Sequence, residues 1–142
     1  MTDWRNDLGR FFEQTEKTHQ ESKESEISRF LTGVAVPAFE EISEELKRYG
    51  RDVSIRNSAT AATISVHHAG DEEMTYRIQG RTFPNGVLPY AEIRFRERKG
   101  LKLITVESMI RPGPPNYRLD EVTRAEVIRD FLSNYTSRVH QR

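Results

Sequence analysis

A chain of 142 residues can enclose one hydrophobic core and is too short for two ordinary domains. It has no cysteine, which removes disulfide frameworks, thiolate nucleophiles and cysteine-bearing zinc sites and fits a reducing, cytoplasmic setting. The 22 basic and 22 acidic side chains leave no overall field to attract nucleic acid or an anionic membrane, although residues 51–118 carry 11 bases against 7 acids.

Acids near Met1 stand where a secretion signal needs an apolar run, and no stretch reaches membrane-spanning length, so a cytoplasmic protein with no membrane partner is expected. Trp4, Leu8, Phe11 and Phe12 recur at helical spacing, after which Glu13 to Glu26 contains no large apolar side chain. Residues 1–26 are therefore expected to form a polar helical or mobile N-terminal arm, with Trp4, Leu8, Phe11 and Phe12 as its partner-binding candidates. The plainer alternative is a frayed terminus.

Residues 27–142 are expected to form a single α+β domain. Ile27, Phe30, Leu31, Val34, Ala38, Ile42, Leu46 and Tyr49 make one stripe at spacings of three and four, which predicts a helix. Pro37 within it predicts a kink near Val34 or a restart with proline in the first turn. Gly50, after Lys47, Arg48 and Tyr49, predicts the stop.

Beyond Gly50 the period falls to two. Val53 and Ile55, then Ala62, Ile64 and Val66, then Met74, Tyr76 and Ile78, then Ala91, Ile93 and Phe95 alternate with polar residues. Turns are expected at Ala69-Gly70-Asp71, at Pro84-Asn85-Gly86 and at Lys99-Gly100, and Gly70, Gly80 and Gly86 are all assigned to turn geometry. Leu101 to Ile110 is apolar on both faces, which predicts a fifth strand at the centre of the sheet or covered twice. The proline-rich run from Arg111 to Asn116 serves as a connector. Thr123 and Glu126 form a capping box that opens a closing helix with Ile128, Phe131, Leu132, Tyr135 and Val139 on its buried face. The expected architecture is α+β: N-terminal helices, a five-stranded antiparallel meander, and a C-terminal helix packed on the sheet.

No glycine-rich phosphate loop and no Gly-x-Ser-x-Gly elbow occur, and no cofactor is expected. His67 and His68 point to opposite faces of a strand, and His19 and His140 lie near the two ends without a carboxylate motif, so no metal site is expected. Glu107, in the most apolar strand, and His67 are the candidates for acid-base catalysis; the simpler account pairs Glu107 with an arginine on the neighbouring strand. The outward sheet face collects Arg56, Thr63, Ser65, His67, Thr75, Arg77, Arg94 and Arg96, and Arg56, Arg77, Arg94 and Arg96 are the candidate anchors for an anionic ligand. Tyr76 and Phe95 fall on the inward parity and Tyr90 alone lies outward, too little for the base stacking that RNA recognition needs.

These features rank a noncatalytic protein- or peptide-binding module of the adaptor or chaperone-like kind first, with a protein partner or a homodimer as its mode of association. The alternative is a small anionic-ligand-binding domain, or a small enzyme, using the arginine-rich sheet face.

Overall fold

The computed structural model describes residues 3–83, 86–96, 102–111 and 117–139, with the side chains of 18–22 outside that description. Part of the Pro84-Asn85-Gly86 turn, the Lys99-Gly100 turn, residues 112–116 of the connector, His140 and the His19 side chain therefore lie outside the described residues.

Good helix formers fill the first segment, and Asp3 caps it by accepting the Arg5 N–H at 3.1 Å; α1 runs Trp4–Phe30. A π-helical turn, Leu31–Ala35, leads directly into α2, Val36–Lys47. Pro37 stands in the first turn of α2, as one of the two expectations had it, but a π-helical turn and not a break precedes it. Proline offers no N–H, and its ring crowds the carbonyl four residues back. The wider turn accommodates this, with the Val36 N–H bonding to the Leu31 carbonyl, and the chain stays right-handed helical throughout. Gly50, at φ 77°, takes the left-handed conformation that ends the run.

Five strands follow: β1 (Asp52–Asn57), β2 (Ala61–His68), β3 (Asp71–Phe83), β4 (Gly86–Arg96) and β5 (Leu103–Met109). They pair antiparallel in chain order, a simple meander. Ala69 and Gly70 link β2 to β3 with φ 53° and 85°, the backbone signs of a type I′ hairpin turn. A 3-10 turn, Leu119–Glu121, precedes α3, Arg124–Arg138, whose capping box of Thr123 and Glu126 is present as read from the sequence.

Strand alternation buries Ala62, Ile64, Val66, Met74, Tyr76, Ile78, Ala91 and Ile93 on one face. Leu31, Ala35 and Phe39 from the first helical run and Val127 and Phe131 from α3 cover that face, so α3 packs on the sheet as expected. An aromatic column joins the layers: Phe39 meets Tyr76 edge-on at 5.9 Å, and Tyr76 meets Phe131 at 5.6 Å.

Three expectations are corrected. β5 lies at the edge of the sheet, not its centre, and Leu103 is 40% exposed; its second apolar face is uncovered, not doubly covered. Gly80 lies within β3, well away from any turn. A Cβ there would come within 2.8 Å of Ile27 Cγ1 and Val87 Cγ1, so the glycine lets α1 lie close on the β3–β4 hairpin. That hairpin is also longer than the alternation suggested, because β4 carries the fully buried Pro89.

Candidate functional site

The outward sheet face is built from side chains of alternate parity. Arg56, Thr63, Arg77, Glu92 and Glu107 form one row across all five strands. In the next row Thr75 donates to Ser65 at 3.2 Å, and both are buried beneath longer neighbours. The four predicted arginine anchors share this face but are not equivalent. Arg94 is clamped by both oxygens of Glu72, at 2.7 and 2.9 Å, and this holds the Glu72 carboxyl below its usual range. Arg96 donates to the Glu72 carbonyl at 3.2 Å. Arg56 and Arg77 are exposed and make no ion pair among the described residues.

Glu107 is exposed on β5 and pairs at 2.9 Å with Arg81. Arg81 belongs to β3, the next strand but one, because the β4 residue opposite Glu107 is Glu92, another acid. Arg81 also stacks over Tyr90, 4.1 Å from the ring centroid. The desolvated carboxylate expected at Glu107 is thus corrected to a surface ion pair. Nor does the structure bring His67 near it. The two are three strands apart and offset by four residues, which places their Cα atoms roughly 20 Å apart. No cluster of three or more potential metal ligands occurs among the described residues.

Sequence reading missed a polar network between the sheet and α3. Simple alternation would set Glu73 beside Thr75 on the outward face. The register shifts at Val66/His67, however, so that Glu72 turns outward to Arg94 while Glu73 reaches the helical side. There Glu73 accepts from Tyr135 at 2.7 Å and from Arg51 at 3.1 and 3.3 Å. Burial and then the Glu73 carboxylate push the Tyr135 phenol up to about 12. Nearby, the Tyr76 hydroxyl donates to Asp130 at 2.5 Å; burial raises the Asp130 carboxyl, opposed by that hydrogen bond and by the Arg138 charge. Every member of this network has its partner inside the fold, so its geometry is that of a structural tie between β3 and α3.

Two further surfaces are open. On α1, Trp4, Leu8, Phe11 and Phe12 are 65, 48, 61 and 56% exposed, and Phe11 and Phe12 touch only edge-to-face at 5.5 Å. Where α1 reaches the body, a cleft of about 700 Å³ opens against the β3–β4 hairpin and the 3-10 turn. Its apolar lining includes Phe30, Val34, Val87, Leu88 and Leu119, and its polar lining Glu26, Arg29, Arg118 and Asp120. Arg118 and Asp120 pair with each other at 2.6 Å. The cleft was not legible in the sequence, because it forms where three distant segments converge.

No family model, curated protein or solved structure matches the chain. No helix among the described residues is long and apolar enough to cross a membrane.

Proposed function

We propose that this chain is a noncatalytic protein-binding module whose partner-contact element is the tip of α1. The supporting observation is the exposure of Trp4, Leu8, Phe11 and Phe12 together on one long helix. Four large apolar side chains at helical spacing form the kind of contiguous patch that protein contacts cover, and aromatic anchors dominate such contacts. Replacing Leu8 and Phe11 by glutamate tests this. Association, read as mass by native mass spectrometry, should be lost while the circular dichroism spectrum of the folded chain is unchanged, because neither side chain belongs to the core. Unchanged association in the folded variant would sink the proposal. Trp4 is the only tryptophan, so its fluorescence reports directly on whether the tip is covered.

A second reading rests on Arg56 and Arg77, which flank Thr63 and have no ion-pair partner among the described residues. Together they suit a carboxylate or phosphate group. Reversing both to glutamate should abolish binding of inorganic phosphate or a dicarboxylate probe, measured by calorimetry. Absence of any binding to the unaltered chain would remove this alternative.

A further inference from the structure

The tip of α1 cannot reach the cleft of its own chain. α1 is one helix from Trp4 to Phe30, so at 1.5 Å per residue Leu8 stands about 27 Å from Glu26. Leu8 and Glu26, Phe11 and Arg29, and Phe12 and Phe30 are each 18 residues apart, which is five turns of 3.6 residues. The three tip residues therefore share a helix face with Glu26, Arg29 and Phe30, which line the cleft.

We propose that a second copy of this chain fills the cleft: two α1 helices pair antiparallel about a two-fold axis at position 19, and each tip enters the other copy's cleft. This rests on α1 being the partner-contact element, and it names the partner. In such a pair, positions whose numbers sum to 38 face each other. Leu8 then meets Phe30 and Phe12 meets Glu26, while Ile27 stays seated on Gly80 of its own chain. In the polar middle the same register sets Glu13 against Ser25, Gln14 against Glu24 and Thr15 against Lys23. No Asp, Glu, Lys or Arg from position 4 to 34 faces a like charge. The contact is isologous, so it closes at the dimer and leaves no tip or cleft open for chain growth. Each tip has roughly 400 Å² to cover and each cleft wall rather less, so the two exchanges bury roughly 1,200 Å², the lower end of a stable interface.

Because the chain has no cysteine, disulfide trapping can read the register. Positions 12 and 26 of one copy lie about 21 Å apart along α1, beyond disulfide reach, whereas between copies they are opposed. In the double variant Phe12→Cys/Glu26→Cys, mild oxidation should give a dimer whose mapped bonds join 12 to 26. Bonds joining 12 to 12 instead would overturn the antiparallel exchange. Sedimentation should show the unmodified chain as a dimer, and Leu8→Glu at the tip or Val34→Arg in the cleft should each weaken it by more than about tenfold. Circular dichroism identifies any variant that fails to fold, and the tip variant, whose side chain lies outside the core, keeps the test decisive. A monomeric unmodified chain overturns the second copy as occupant. If that monomer still carries another protein that Leu8→Glu/Phe11→Glu releases, the tip remains the contact element; if those substitutions change nothing, both proposals fall.

Discussion

Tyr135 shows how one hydrogen bond becomes a dependence on pH. Unfolded, the phenol releases its proton near its ordinary value of 10.0; folded, it holds it to about 12. Between those values the folded chain binds more protons than the unfolded one, so stability falls as pH rises through the window. Tyr135→Phe should flatten this alkaline limb, which denaturant titrations across the same pH range would measure. Ala69 carries a different cost, since at φ 53° its Cβ crowds the backbone. Asn favours that conformation and an Asn-Gly pair favours this turn, so Ala69→Asn should stabilise the protein by about 0.5–1 kcal/mol, seen as a raised midpoint in thermal unfolding.

At the scale of elements, the seam between α1 and the β3–β4 hairpin depends on Gly80. Gly80→Ala would drive a methyl group into Ile27 and Val87, both branched and unable to swing away freely. The expected cost is about 1–3 kcal/mol of stability, with α1 pushed off the hairpin. α3 begins differently, from a capping box in which the Thr123 hydroxyl accepts the Glu126 N–H at 3.2 Å. Arg111 then grips both oxygens of the Glu126 carboxylate, at 2.8 and 2.9 Å, and holds its pKa down. Thr123→Ala should cost about 1 kcal/mol in denaturant unfolding. The capping box could be read from the sequence because it spans four residues. Arg111 as its outer partner could not, because residues on either side of the connector meet only in the folded chain.

Over the whole molecule, a helix-covered sheet with one polar face carries an α1 whose first turns have no described packing against the body. A helix without tertiary support is marginal in water, so amides from Trp4 to Lys17 should exchange fastest in dilute protein. Their exchange should slow with concentration if α1 pairs with a second copy. A concentration-independent pattern, read by hydrogen–deuterium exchange mass spectrometry, would show that the tip remains uncovered.

Hydrophobic period is local chemistry, and it was enough to determine the α+β class, the inward residues of the first four strands, the aromatic tip and the capping box by sequence alone. Strand position is not local. Leu103 to Met109 has the same composition at a sheet edge as at a centre, and only the pairing order placed β5 at the edge and left Glu107 exposed. The turn of Glu73 toward Tyr135 likewise needed a bulge, which depends on how two strands slip against each other and not on either one's pattern. The cleft needed most of all, since α1, the β3–β4 hairpin and the 3-10 turn become neighbours only when the core closes.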